Sequence, residues 1–169
     1  MDLKDAIHSR RSVRSFTSES VTPEAVHEML GAAMQAPSAG NEQPWQFIVI
    51  DDRRILDAIP QISPYAPMCH IAPLAVLVCG DMREVRHTGY WVQDCSAATE
   101  NMLLTAHALG LGAVWTGVYP NDEREKAFRT LLGLPEEIVP MALVVLGVPA
   151  ESGTPVLRFN PDRVHRNGW

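Results

Sequence analysis

The sequence is short of lysine, of cysteine and of long apolar runs. Its only lysines are Lys4 and Lys126, and acidic residues outnumber basic ones by 20 to 14, for a formal net charge of -6. That balance argues against nucleic acid as a main partner, because a phosphate backbone is met by a basic face. The three cysteines, Cys69, Cys79 and Cys95, stand ten and sixteen residues apart. They form no Cys-x-x-Cys, no zinc spacing and no even-numbered disulfide framework, so a reducing compartment is expected. His8, His27, His70, His87, His107 and His165 contain no His-x-x-x-His pair, and no metal site is expected. No apolar run approaches the ~20 residues that span a bilayer. Met1-Asp2-Leu3-Lys4-Asp5 is too charged for a secretory signal. These absences predict a soluble cytoplasmic protein that binds neither nucleic acid nor membrane. With 169 residues, 46% of them hydrophobic, and no linker or repeat, residues 1–169 are read as one domain.

Arginine, by contrast, is concentrated at the two ends of the chain. Arg10-Arg11-Ser12-Val13-Arg14 packs three guanidiniums and a hydroxyl into five residues, and Arg158, Arg163 and Arg166 lie in the last twelve. Guanidinium forks match phosphate oxygens in a bidentate way. Clustered in an acidic chain, they suggest one anionic ligand; a solvated basic helix end is the alternative.

Periodicity and punctuation predict alternating helices and strands. Leu3 to Ser9 reads as a short helix. Thr22-Pro23-Glu24 supplies an N-cap, a first-turn proline and an early acid for a second helix, which stops before Pro37. Gln46 to Ile50 reads as a strand, Asp52 to Ile59 as a helix ending at Pro60, and Gln61–Pro73 as an irregular loop. Leu74 to Gly80 is a continuous apolar run, as in a strand buried on both faces. A long helix is expected over Tyr90 to Leu109, with Val92, Cys95, Ala98, Met102, Leu103 and Ala106 on one side and Gly110 as its left-handed cap. Ala113 to Val118 reads as a strand, Glu123 to Leu132 as a helix capped by Asp122 and closed by Gly133, and Met141 to Gly147 as a last buried strand. The fold class is therefore α/β (α+β), a sandwich whose central sheet is covered by helices on both faces. The tail from Glu151 to Trp169, with Phe159 and Trp169, is expected to wrap over a neighbouring surface.

A second polar segment is Pro37-Ser38-Ala39-Gly40-Asn41-Glu42-Gln43-Pro44-Trp45. Its glycine and prolines shape a loop that Ser38, Asn41 and Gln43 arm with hydrogen-bonding groups, suited to the edge of a flat polar heterocycle. The same groups could equally satisfy the loop's own backbone. Met68-Cys69-His70 makes no dyad, since adjacent residues of an extended chain point opposite ways. Gly110-x-Gly112 lacks a third glycine and precedes a strand, so it is no dinucleotide fingerprint.

Arg10 to Phe16 and Pro37 to Trp45, followed in order by Gly110-Leu111-Gly112-Ala113-Val114-Trp115-Thr116-Gly117 and Gly147-Val148-Pro149, resemble the signature of the nitroreductase family of flavoproteins; Arg158-Phe159 through Trp169 resembles the closing segment of its short members. The resemblance implies a homodimer that binds FMN at the subunit interface and passes hydride from NAD(P)H to a small acceptor. It places Arg10, Arg11, Ser12 and Arg14 at the ribityl phosphate and the pyrimidine edge. Pro37, Ser38 and Asn41 would come from the opposite subunit with Gln43 close by. Trp115, Thr116 and Gly117 would offer backbone groups near the reactive nitrogen, Arg158 would close the phosphate site, and Met102 and Leu103 would join the dimer core. Cationic and amide donors near the pyrimidine ring would favour reduced flavin. The chemistry would be the cofactor's, with no catalytic side chain required. The alternative is a non-catalytic module holding flavin or another phosphometabolite in the same pocket. The Gln61–Pro73 segment has no lysine, although longer relatives engage substrate with basic residues near the flavin.

Overall fold

The structure, a computed structural model, describes every residue except Ser152 and Pro155. Helices α1 (Leu3–Ser9) and α2 (Pro23–Ala33) precede strand β1 (Trp45–Ile50), helix α3 (Arg53–Ile62), strand β2 (Leu74–Asp81) and the long helix α4 (Trp91–Ala108). Strand β3 (Gly112–Gly117), helix α5 (Asp122–Leu132) and strand β4 (Ile138–Gly147) complete the set. The strands form one sheet in the order β1-β2-β4-β3, with every neighbouring pair antiparallel.

Alternation along the strands feeds two cores. Leu74, Val76 and Val78 of β2 join Ala142, Val144 and Leu146 of β4 beneath α2 and α4. Ala75, Leu77 and Cys79, with Leu143 and Val145, face Leu56 and Ile59 of α3 and Phe128 of α5. The continuous apolar runs of β2 and β4 thus reflect helices on both faces, although the sheet is antiparallel. α4 turns Cys95, Ala98, Met102, Leu103 and Ala106 into its own core. Met102 and Leu103 are accordingly closed to a partner, and any dimer interface must use other residues.

Several boundaries differ from expectation for identifiable reasons. Pro60 does not end α3, which continues to Ile62. A proline so near the C-terminus removes only one donor, buried Leu56 and Ile59 hold the turn, and Ser63 N–H closes it on the Ile59 carbonyl at 2.9 Å. Much of the expected Gln61–Pro73 loop is ordered, with a 3₁₀ turn at Pro67–His70. The Arg53 guanidinium fastens that turn, donating to the carbonyls of Ala72 (3.0 Å) and Cys69. β4 starts three residues early and contains Pro140, which stands opposite Cys79 where the β2 register shifts; an irregularity in the ladder is where a sheet tolerates a missing N–H. Asn121, not Asp122, caps α5, accepting from Arg124 N–H at 2.9 Å, since the two residue types cap equally well. Gly110 and Gly133 take the left-handed conformation, with φ of +80° and +64°.

Candidate functional site

β3 is an edge strand, and the arginine segment is fastened beside its start. Val13 N–H donates to the Ala113 carbonyl at 3.0 Å, and Ser12 bridges Ala113 in parallel. Phe16 is buried against this end of the sheet, where added methyls at Gly112 and Gly147 would meet the Val13 and Phe16 side chains at 2.8 and 3.1 Å. Thr17 N–H to Val148 O (2.9 Å) and Ala150 N–H to Ser15 O (3.0 Å) secure it further.

The arginines play different parts. Arg10, at the end of α1, pairs with Glu100 of α4 at 3.2 Å. Arg11 donates to the carbonyls of Thr154 (3.1 Å) and Val156 (3.2 Å), so that it straps the C-terminal tail. Arg14 and Arg158 are exposed, and neither has a hydrogen bond or ion pair among the described residues. Ser12 is likewise exposed.

Along β3, strand alternation decides which backbone groups are open. The Ala113 carbonyl meets Val13 and the Gly117 carbonyl accepts from Arg124 Nη1 at 2.9 Å, so Ala113, Trp115 and Gly117 face the outer edge. Trp115 N–H and C=O have no partner there among the described residues. Thr116, by the same alternation, turns its backbone into the ladder with β4, and its hydroxyl donates to the Leu143 carbonyl at 3.1 Å. Of Trp115, Thr116 and Gly117, the first and last therefore turn their backbone groups to the outer edge, and Thr116 turns its own towards β4. The open stretch from Ala113 to Gly117 is about 13 Å long at ~3.3 Å per residue. Arg124 ends it, with its guanidinium 4.9 Å above the Tyr65 ring centroid. The Gln61–Pro73 segment, which lacks lysine, therefore contributes an aromatic seat for a cation from α5.

The Pro37–Gln43 segment lies elsewhere. It leads into β1, at the opposite edge of the sheet, roughly 14 Å away across three strand spacings. Pro37 opens the segment in an exposed position. Gly40, Asn41 and Gln43 have φ of +56°, +56° and +51°. Ser38 Oγ accepts from Gln43 N–H at 3.0 Å, and Gln43 Nε2 donates to Asn41 Oδ1 at 3.3 Å. Both amide side chains are exposed. The arginine segment is at the far end of the sheet as well as the far edge, because Gly112 aligns with Gly147 and Leu146 with Leu74, whereas Trp45 aligns with Gly80 at the other end. One chain therefore does not bring the two halves of the expected site together.

Residues that sequence reading missed surround these segments. Asp94 of α4 accepts from Ala39 N–H at 3.0 Å. His87 donates its backbone N–H (3.0 Å) and Nδ1–H (2.5 Å) to Glu42 Oε1. Burial would raise the Glu42 carboxyl, but the His87 side chain, then the backbone of Arg86 and His87, outweigh it and hold the carboxyl below its ordinary value. The Asp94 signal was hidden because an acid in a first helical turn is expected for the dipole alone. His87 and Glu42 are 45 residues apart. Burial pushes the thiols of Cys69, Cys79 and Cys95 up to about 12, so none is a thiolate near neutrality. Among the described residues no His, Cys, Asp and Glu side chains group as for a metal ion, and no helix is long and apolar enough to cross a membrane.

The residues present fit a phosphate-bearing planar heterocycle. Among the described residues the Arg14 and Ser12 side chains and the Trp115 backbone have no partner, and Asn41 and Gln43 expose amides on a constrained loop. Comparison with known proteins points the same way. The Nitroreductase family model matches residues 7–68 and 64–148. The chain is 48% identical, over 100% of its length and 88% of the relative's, to the "Putative NADH dehydrogenase/NAD(P)H nitroreductase" of Methanothermobacter thermautotrophicus. It superposes with a TM-score of 0.95 on a crystal structure named "Putative NADH Oxidase" from Clostridium acetobutylicum, at 40% identity and covering 98% of this chain and 100% of that one. A crystal structure named "putative nitroreductase in complex with fmn", from Desulfovibrio desulfuricans, matches with a TM-score of 0.86 and 33% identity over 100% and 98% of the two chains. The chain belongs to the nitroreductase family.

Proposed function

We propose that the protein, an FMN-dependent NAD(P)H oxidoreductase of this family, passes hydride to a nitroaromatic, quinone or similar small acceptor. Donor and acceptor bind in turn at a site shared between two copies of the chain. The observation that supports this reading is the divided site: the arginine segment and the Pro37–Gln43 loop stand at opposite edges and opposite ends of one sheet. A second copy can supply the missing half. When bound, FMN supplies the hydride chemistry.

The chain's own residues bind and orient. Arg14 and Arg158 would hold the phosphate as charge-assisted donors, with the Ser12 hydroxyl beside them. Arg10 and Arg11 support that site indirectly, the first by fixing α1 on α4 and the second by holding the tail that carries Arg158. Trp115 N–H would donate to a ring heteroatom from the rigid β3 edge. Pro37, Ser38, Asn41 and Gln43 of the second copy would close over the polar edge. Fixed donors of this kind favour the more negative state of a bound ring system and need no reorganisation.

Three measurements test the reading. Anaerobic addition of NAD(P)H should bleach the yellow purified protein, and denaturation should release FMN. A flavin that does not bleach would mark a binding module instead. Initial rates against NAD(P)H at several fixed acceptor concentrations should give parallel double-reciprocal lines. Intersecting lines would mean that donor and acceptor occupy separate sites together.

A further inference from the structure

The Pro37–Gln43 loop holds positive-φ backbone at Gly40, Asn41 and Gln43, and of the three residue types glutamine favours it least. Gly40 is suited to positive φ, but Asn41 (+56°) and Gln43 (+51°) adopt it too. L-residues keep such a conformation only where their surroundings over-determine it. Two contacts from the segment at and just before the start of α4 do this. On one side, Asp94 Oδ1 accepts the Ala39 N–H at 3.0 Å. Asp94 is 6% exposed, and its Oδ2 has no partner among the described residues. A buried carboxylate with an orphan oxygen is costly, so stability alone does not account for it. On the other side, Glu42, with its side chain 5% exposed, accepts both donors of His87. The His87 ring lies so close over Gly40 that an added methyl there would stand 2.8 Å from its Cε1.

We propose that Asp94 and the Glu42–His87 pair are positioning residues, two clamps that fix Ser38–Gln43 so that its amides are already set for the cofactor. The inference rests on the reading that this loop closes over FMN. It goes further in assigning the loop's order to three side chains, none of which need touch the flavin. A loop set in advance loses little freedom when the ligand arrives, and that slows ligand loss.

The test uses the purified FMN-loaded protein and the variants Asp94→Ala, Asp94→Asn and His87→Gln. FMN dissociation is followed by recovery of free-flavin fluorescence, and the melting temperature of each apoprotein is recorded. Asp94→Ala should speed FMN loss about 10- to 100-fold, the range of a lost hydrogen bond to a charged group. Asp94→Asn keeps an acceptor oxygen for Ala39 and should recover most of that loss, whatever its melting temperature. His87→Gln should give a smaller acceleration. It decides the matter if Asp94→Ala fails to fold, because the imidazole is 58% exposed and carries little packing. Dissociation at the wild-type rate in the folded variants, or an Asp94→Ala defect that Asn does not recover, overturns the clamps while leaving the enzyme assignment intact. A wild-type protein that never retains FMN would instead remove the functional reading beneath them.

Discussion

His107 lies half-buried on α4 with Ser9 at 2.7 Å from its Nε2. The single Ser9 hydroxyl proton goes to the Asp5 carbonyl at 2.6 Å, so the imidazole must donate. Burial first, then the nearby Arg10 and Arg11, hold its pKa below the ordinary 6.5. In the unfolded chain it protonates near 6.5, while the folded chain resists. Stability should therefore be unaffected by this group above that pH and decline as pH falls towards its lowered folded value. Thermal melts at about pH 7 and pH 5 should show a steeper loss for the wild type than for His107→Gln. Equal slopes would mean that the imidazole is not shifted. Arg14 offers a second test at this scale, because it is exposed and has no partner among the described residues. Arg14→Ala should leave the unfolding free energy within about 0.5 kcal/mol of wild type, as for most surface changes. It should weaken FMN retention by about 1.5–3 kcal/mol, the worth of a charge-assisted contact. Isothermal titration of the apoprotein with FMN reads that loss, and wild-type affinity would return the arginine to solvent.

At the scale of elements, β2 and α4 are locked by one close approach. A methyl added at Gly80 would lie 2.5 Å from the Trp91 ring, which stands at the first turn of α4 and packs edge-on to Tyr119 with centroids 5.0 Å apart. Gly80→Ala should cost about 1–3 kcal/mol, as other overpacked core positions do, and appear as a lower denaturation midpoint with altered tryptophan fluorescence. An unchanged midpoint would mean that Trp91 yields freely. What could be read in advance followed local signals. The cap at Thr22 with its first-turn proline and the glycines after α4 and α5 are short-range features, and those elements formed where expected. Pro60 misled because tertiary burial compensates for its missing donor, and the early start of β4 was missed because a register shift admits Pro140; neither is visible locally. Strand order was equally hidden, since a continuous apolar run reports two covered faces and says nothing of direction. At the site, the arginine and loop motifs were legible as residue types. The commitment of Arg11 to the tail, the inward turn of Thr116 and the clamps from Asp94 and His87 depend on pairs far apart in the chain.

For the whole molecule, the unresolved tension is apolar surface. Leu157, Phe159 and Trp169 are 96%, 84% and 104% exposed, on a tail that Arg11 holds at Thr154 and Val156. Large apolar side chains left in solvent along one short tail suit an interaction surface, and each is worth about 1.5–3 kcal/mol on full burial. Together they are comparable with the roughly 8 kcal/mol of a micromolar complex, before the entropic cost of association. The same tail carries Arg158, and the sheet holds its two polar segments too far apart for one ligand. A second copy of the chain would answer both conditions, covering the tail and completing the site. Sedimentation at micromolar concentration should therefore show a dimer that carries flavin. Deleting residues 157–169 should weaken both association and FMN retention together, while circular dichroism stays that of the intact sandwich, because none of the deleted residues is buried in the fold of its own chain. A monomer that keeps its flavin at wild-type affinity would mean that one chain closes the site alone, and the divided sheet would then have no bearing on how FMN is held.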